Sequence, residues 1–152
     1  MPACRWALVP VLILGLLGGV LAACEPLGLG GGGEAPRPER RYFRFVEAAS
    51  GETFVAATAD SLALAQVEAE LARPPADRNK LIIGSIERGD GLYPDGYPWH
   101  FVPDAWRLAD LATEVCDGRP SYVSAHVDYF VDEVGRYCPF GSRLVEEVPP
   151  PQ

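Results

Sequence analysis

The distribution of apolar residues in the first half of the chain predicts two strands followed by a helix. Aromatic and β-branched residues are concentrated in 42–47 and 53–58, on either side of Ser50-Gly51, which predicts a β-hairpin. Residues 62–73 are rich in Ala, Leu and Glu, and Pro74 follows them, which predicts a helix that ends there. Its apolar residues recur at intervals of three and four and form one stripe, which comprises Leu64, Val67 and Leu71.

The middle of the chain alternates between strand-forming segments and loops. Residues 81–86 are almost continuously apolar and predict a buried strand, whereas the Gly- and Pro-rich residues 88–98 predict a loop. Residues 99–102 and 106–115 favour extended structure, and Pro103-Asp104 is expected to separate them. A short helix over 109–112 is equally compatible with the pattern.

The last part of the chain predicts a second helix and a short strand. Pro120 suits the first turn of a helix over 121–134, and Gly135 suits its end. Residues 144–148 favour a final strand. Neighbouring strands favour antiparallel pairing, so we expect an α+β fold: a small antiparallel sheet with two helices on one face.

The first 23 residues have the pattern of an export signal. Arg5 is the only charge among them, and residues 6–23 form an uninterrupted apolar segment. That length just reaches the roughly 20 residues needed to span a bilayer, but Pro10 and Gly18-Gly19 favour a signal peptide.

The end of this segment, Leu21-Ala22-Ala23-Cys24, resembles a bacterial lipobox. The resemblance implies cleavage before Cys24 and a diacylglycerol on its thiol; the alternative is an ordinary signal peptide or anchor with an incidental cysteine. Residues 24–40 are rich in Gly and Pro and predict a flexible tether. The expected organisation is therefore a signal over 1–23, a tether over 24–40, a domain over 41–148 and a disordered tail over 149–152.

Charge and cysteine content limit the class of protein. The formal charge of −8 and the pI near 4.7 argue against a nucleic-acid partner. Two cysteines, Cys116 and Cys138, remain in the predicted domain, and in an exported chain we expect them to form a disulfide. A metal site that includes His100 or His126 is the alternative, but the spacing does not match that of zinc ligands.

A string of short motifs between residues 42 and 145 resembles a small family that is named after a cyclic-AMP-inducible developmental protein and is common among exported bacterial proteins. The resemblance implies a single domain behind an anchor and transfers no catalytic residue or cofactor to this chain. It rests on Thr53-Phe54-Val55-Ala56, Gln66-Val67-Glu68, Ile83-Gly84, Arg88-Gly89-Asp90-Gly91, Trp99-His100-Phe101, Glu114-Val115-Cys116-Asp117-Gly118-Arg119-Pro120, Asp128-Tyr129-Phe130 and Gly135-Arg136-Tyr137-Cys138-Pro139.

The loop and aromatic segment from Arg88 to Asp104 is the candidate contact surface of this domain. Aromatic rings beside a loop can form a binding platform by stacking and hydrogen bonding. The simpler interpretation is that Trp99 and Phe101 belong to the core and that His100 is a partly buried, hydrogen-bonded residue. The candidate residues are Asp90, Tyr93, Asp95, Tyr97, Trp99, His100 and Asp104.

Catalytic and metal-binding patterns are weak in this sequence. It contains no G-x-S-x-G, H-E-x-x-H or phosphate-loop motif, and the loop aspartates lack the EF-hand order of calcium ligands. His126 is expected to pack at a helix edge. Arg119 and Arg136 flank the second helix, and we expect them to pair with Asp117 or a nearby carboxylate more readily than to bind an anion.

These observations favour an exported lipoprotein, held at the periplasmic or outer-membrane face of a bacterial envelope by the lipid on Cys24. We expect its domain to bind an unidentified protein or glycan without a metal or cofactor. Two alternatives remain open: a small exported enzyme that uses His100 with loop carboxylates, and an envelope protease inhibitor.

Overall fold

The computed structural model describes residues 39–91 and 95–151, which lie within one unit, Glu34–Gln152. Its five strands form two antiparallel sheets, one with the order β2-β1-β5 and one that pairs β3 with β4. The predicted α+β class is confirmed, but the strands divide between two sheets instead of forming one. The strands are β1 (Arg41–Glu47), β2 (Thr53–Thr58), β3 (Leu81–Arg88), β4 (Trp99–Ala109) and β5 (Ser142–Val148).

The helical segments connect and cover these sheets. Helix α1 contacts β4 and β5, and a π-helical segment near the C-terminus contacts β3. None of the helices in the described ranges has the length and apolar character needed to cross a bilayer. The segments are α1 (Ser61–Leu71), α2 (Pro120–Ala125), the π-helical segment Tyr129–Val134, and the 3-10 turns Pro75–Asp77 and Glu114–Cys116.

The predicted β1–β2 hairpin forms the centre of the core. Phe45 lies opposite Phe54 in the antiparallel register, and their rings stack with centroids 5.5 Å apart. Both side chains are buried, and the ring of Phe54 also lies 5.7 Å from that of Phe101 on β4. The two sheets therefore share one aromatic core, which joins them without a common hydrogen-bond ladder.

Helix α1 follows its sequence pattern closely. The Asp60 carboxylate accepts a hydrogen bond from the Ala63 backbone N–H at 2.9 Å, as expected of an N-cap. Val67 is fully buried, and Leu64 and Leu71 pack against the core beside it. The predicted apolar stripe is therefore the face that the helix buries.

Residues 99–109 form one continuous strand, not the two segments expected. Asp104 adopts the left-handed backbone conformation, with φ of 65°, and the β3–β4 register shifts beside it. Gly84 pairs with Trp106 and Ile86 with Phe101, so residues 102–105 leave the ladder. The Pro103-Asp104 signal therefore marks a bulge, not the end of a strand. The strand ends at Ala109, residues 110–113 form neither strand nor helix, and the 3-10 turn Glu114–Cys116 follows them.

The predicted helix over 121–134 is interrupted at His126. The imidazole Nδ1–H of His126 donates to the Tyr122 carbonyl at 2.8 Å, and the His126 backbone N–H bonds to Val123 instead. This side chain takes the acceptor that an α-helix would give to the backbone, so α2 stops and the chain continues as a π-helical segment. Gly135 ends that segment with φ of 69°, as predicted.

Cys116 and Cys138 form the predicted disulfide, with Cα atoms 5.2 Å apart. Cys116 lies in the 3-10 turn after β4, because the segment 106–115, predicted to be extended, leaves the strand after Ala109. The Cys138 backbone N–H also donates to the Cys116 carbonyl at 2.8 Å, and both side chains are buried beside Leu81. The bridge thus attaches the segment after the π-helical residues to the chain beyond β4.

Arg78 joins the end of α1 to β5. Its guanidinium donates to the Leu71 and Arg73 carbonyls at 3.1 and 3.2 Å, and to the Leu144 and Val145 carbonyls at 3.3 and 2.6 Å. One side chain therefore donates hydrogen bonds to carbonyls at the end of the helix and on the strand.

We expect Arg78→Met to lower the free energy of unfolding by about 2 kcal/mol, because methionine keeps the aliphatic stem and removes every charge-assisted hydrogen bond. Urea denaturation would measure the change as a lower midpoint at an unchanged slope. The matched control is Arg107→Met, an exposed arginine with no hydrogen bond to the described residues, which should change stability by less than about 0.5 kcal/mol. Equal effects of the two variants would contradict this role of Arg78.

Candidate binding groove

Part of the sequence-predicted surface lies outside the described residues. Tyr93, within residues 92–94, and the predicted lipidation site Cys24 belong to this part. Asp90 is exposed on the loop after β3. The other candidates lie on or next to β4 and do not form one surface, because Trp99 begins the strand and Asp104 lies at its bulge.

Trp99 is a core residue. Its side chain is 3% exposed, its ring stands edge-on to Tyr137 with centroids 5.1 Å apart, and its indole N–H donates to the Ser124 hydroxyl at 3.0 Å. Phe101, two residues later on the same face, is equally buried, and Tyr97 stacks on Trp99 at 5.2 Å. The aromatic segment therefore packs inward, as the simpler interpretation predicted.

Two side chains, Asp95 before β4 and Trp106 within it, close the free edge of β2. Asp95 accepts a hydrogen bond from the Val55 backbone N–H at 2.6 Å, and the Trp106 indole N–H donates to the Ala57 carbonyl at 2.9 Å. Burial raises the pKa of Asp95, and the Val55 N–H and the charge of Arg44 only partly offset it. These side chains thus form hydrogen bonds with a backbone N–H and a backbone carbonyl that an edge strand would otherwise leave exposed.

Both ring nitrogens of His100 face acceptors. Nδ1 lies 3.1 Å from the Gly89 carbonyl, and Nε2 lies 2.8 Å from the Glu87 carboxylate. Gly91, with φ of 61°, packs so closely on the imidazole that a Cβ there would overlap it. The ring is therefore held in place against the loop, and its nitrogens are directed at these acceptors instead of at solvent.

Asp104 connects the β4 bulge to the corner between β2 and α1. Its Oδ1 accepts hydrogen bonds from the Thr58 hydroxyl at 3.0 Å and from the Ala59 N–H at 2.5 Å, and Arg40 lies 3.4 Å from Oδ2. Partial burial alone would raise the pKa of Asp104, but these hydrogen bonds and the charge of Arg40 outweigh it and hold the pKa below its ordinary value.

We expect Asp104→Asn to destabilise the fold by about 1 kcal/mol at pH 7, because asparagine tolerates the left-handed backbone but is a weaker acceptor. A carboxyl whose pKa is lowered on folding stabilises the protein above its ordinary pKa of 3.8, and this contribution is lost as the pH falls through the folded value. The free energies of unfolding of Asp104→Asn and of the wild type should therefore approach each other as the pH is lowered from 7 to 3, and denaturation at each pH would measure this. Asp90→Asn, a change on the exposed loop, should follow the wild type throughout; a constant difference between Asp104→Asn and the wild type would contradict the charge effect.

A groove of about 360 Å³ opens beside the bulge, and sequence reasoning did not identify it. Its walls come from the start of α1, from β3 and β4, and from the residues after the π-helical segment. Leu62 and Ile83 supply apolar surface, and the Ser85 hydroxyl has no hydrogen-bond partner among the described residues. Arg107 and Arg136 are its two cationic residues.

The strand register places these two arginines on either side of β3. Arg107 lies between the buried Trp106 and Leu108 and opposite Ile83, so it points away from the core. On the other edge of β3, Gly84 exchanges two backbone hydrogen bonds with the buried Tyr137, at 3.1 and 2.8 Å. Arg136 precedes Tyr137 and points outward too. Arg136 is then opposite Ser85, two residues along β3 from the partner of Arg107. Two strand spacings and this offset separate the arginine backbones by about 12 Å.

Neither groove arginine forms a hydrogen bond or an ion pair with a described residue. Arg136 thus lacks the carboxylate partner expected for it. The side chain of Arg119, outside the groove, also forms no hydrogen bond or ion pair with a described residue, although its charge helps to lower the pKa of Glu47. Most other described cations have oxygen partners: Arg40, Arg41, Arg44, Arg73, Arg78, Lys80, Arg88 and Arg143.

The carboxylates of the two acidic residues in the groove wall already accept hydrogen bonds from other parts of the chain. Asp60 caps α1, and Asp104 accepts from the chain around Thr58. Within residues 39–91 and 95–151, no cluster of His, Cys, Asp and Glu has the composition of a metal site. The groove can therefore offer guanidinium and hydroxyl donors beside an apolar wall.

Comparison with known families identifies the family of this domain. The family model described as the BP-74 N-terminal domain matches residues 39–151. No curated protein and no solved structure matches the chain. The matched range covers well over half of the chain and includes every described strand and helix. The chain therefore belongs to the BP-74 N-terminal domain family.

Proposed function

We propose that this chain is an exported bacterial lipoprotein whose single domain binds a partner while a lipid on Cys24 holds it at the envelope. The Cys116–Cys138 disulfide carries the proposal, because structural disulfides form and persist in oxidising compartments outside the cytosol. The lipobox-like Leu21-Ala22-Ala23-Cys24 and the Gly- and Pro-rich residues after it support the same location.

Intact-mass analysis of the full chain from a bacterial host tests the anchor. The expected product begins at Cys24, carries the mass of the lipid and incorporates a clickable fatty acid in the membrane fraction. Cys24→Ser should abolish both cleavage and labelling. Cys4→Ser, a cysteine substitution within the expected signal, should leave them unchanged. An unacylated mature N-terminus, or labelling that survives Cys24→Ser, would overturn the proposal.

The groove beside the β4 bulge supports a binding role. It contains polar donors without partners among the described residues, next to Leu62, whose side chain is 65% exposed. His100 and the carboxylates of Asp95 and Asp104, by contrast, form structural hydrogen bonds. The groove is therefore the contact surface that we propose, in place of the Arg88–Asp104 segment as a whole.

Photo-cross-linking in cells that produce the full chain tests this surface. A photoreactive residue in place of Leu62 should give a discrete adduct, whereas the same residue in place of Leu111 should not, although Leu111 is 85% exposed. Leu111 lies outside the groove walls and serves as the matched control. Equal adducts at both positions would indicate non-specific contact and would contradict a groove-based function.

A further inference from the structure

We propose that the groove binds an acidic peptide segment whose carboxylate lies between Arg107 and Arg136; this rests on the proposed binding function and names its ligand class. The two arginines flank β3 on its outer side and converge on one groove. Guanidinium groups match carboxylates with paired N–H donors, so two of them can hold one carboxylate tightly.

The chain has more acidic than basic residues, and yet Arg107 and Arg136 have no carboxylate partner among the described residues. Acidic residues outnumber basic ones by 21 to 13, so carboxylates are available for every cation. Most of the described cations form hydrogen bonds or ion pairs with oxygen atoms. The guanidinium of Arg88, for example, lies 2.6 Å from a carboxylate oxygen of Asp128 and 2.6 Å from one of Asp132. Arg107, Arg119 and Arg136 have no such partner among the described residues, and of these three, Arg107 and Arg136 line the same groove, where they are available for a carboxylate from outside the described chain.

The rest of the groove favours a peptide over a simple anion. Leu62 and Ile83 give the groove an apolar wall, which a free anion would leave uncovered but an aliphatic side chain next to a glutamate would bury. The accessible Ser85 hydroxyl adds a donor or acceptor for a peptide group. The preferred ligand is therefore a short segment in which acidic and aliphatic residues adjoin.

Calorimetry with the full chain in detergent micelles tests this ligand class. The probe is an acetylated and amidated peptide of sequence Ala-Leu-Glu-Leu-Glu-Ala, and the matched probe has Gln in place of each Glu. We expect the acidic peptide to bind at least about tenfold more tightly than its Gln counterpart, and binding to weaken as sodium chloride is added.

Three single variants test the site. Arg107→Gln and Arg136→Gln should each weaken binding of the acidic peptide about tenfold. Arg119→Gln makes the same change of charge outside the groove and should leave the affinity within about twofold. Unchanged circular dichroism and denaturation midpoints would show that the variants remain folded.

Several results would overturn the inference. These are equal binding of both peptides, equal weakening by Arg119→Gln, or inorganic phosphate that binds as tightly as the acidic peptide, which would indicate a simple anion site.

Failure of the inference is distinguishable from failure of the proposed function. If Cys24 is acylated and residue 62 cross-links in cells but the acidic peptide does not bind, the domain is a tethered binder of another ligand.

Discussion

Trp99→Ala should lower the free energy of unfolding by about 3–5 kcal/mol, the range typical of deleting a large aromatic side chain from a core. Trp99 is 3% exposed and contacts the rings of Phe54, Tyr97 and Tyr137. Truncation would leave a cavity between the two sheets and would leave the Ser124 hydroxyl without the indole donor. Guanidinium denaturation would report the loss as a large drop in midpoint.

Two controls separate core packing from surface contact at this position. Trp99→Phe keeps an aromatic ring and removes mainly the indole donor, so it should cost only about 1–2 kcal/mol. Leu111→Ala truncates a side chain that is 85% exposed and should have almost no effect. If Trp99→Ala instead kept wild-type stability and only weakened partner binding, Trp99 would be a contact residue and the core assignment would be wrong.

Removal of the Cys116–Cys138 disulfide should cost about 3 kcal/mol in the double variant Cys116→Ala, Cys138→Ala. The bridge joins residues separated by 22 positions, and the chain-entropy model gives a loop of this size roughly 3 kcal/mol by restricting the unfolded state. Alanine avoids burying a hydroxyl where both side chains are 0% exposed. Thermal and chemical denaturation would both measure the loss.

Reductant provides the internal control for this prediction. Dithiothreitol should destabilise the wild type by about the same amount as the double variant and should not destabilise the double variant further. Amide exchange should increase most in the segment that follows the π-helical residues, because the bridge and the Cys138–Cys116 backbone hydrogen bond hold it to the chain beyond β4. Wild-type stability in the double variant would show that packing around Leu81 suffices without the bridge.

The elements that sequence analysis identified correctly are those whose determinants are local. The β1–β2 hairpin follows from apolar segments on either side of Ser50-Gly51, and helix α1 follows from its apolar stripe and from Pro74 after it. Gly135 similarly ends a helical segment wherever that segment lies, because it accepts the left-handed conformation. Such signals depend on a few adjacent residues and remain readable without the rest of the fold.

The errors occurred where a distant partner decided the conformation. Asp104 stays within β4 because Thr58 and Ala59, more than forty residues earlier, donate to its carboxylate and stabilise the bulge. The division of the strands between two sheets has a similar origin, because Asp95 and Trp106 close the edge of β2 with side chains. The break at His126 is an exception with a local cause, because it depends on a side-chain hydrogen bond to Tyr122, in the preceding turn, that competes with the helix ladder.

The candidate site, too, depends on contacts that neighbouring residues in the sequence do not reveal. Sequence analysis selected aromatic and acidic residues around Trp99 because such residues can bind ligands, and it could not tell whether their side chains point inward. Arg136 was considered as an anion ligand but assigned to structural pairing, and Arg107 lies in a strand segment without any motif. Alternation along β4 was a signal for Arg107, since the flanking Trp106 and Leu108 are apolar.

By itself the sequence determined the acidic character of the chain, the lipobox-like segment, the α+β class, the hairpin, helix α1 and the cysteine pair, because each depends on composition or on neighbouring residues. Only the tertiary structure decided that Trp99 is core, that Asp95 and Asp104 hold β2, and that Arg107 and Arg136 flank β3 without partners among the described residues. Burial and pairing are properties of residues that lie far apart in sequence, and they are set when the chain brings those residues together.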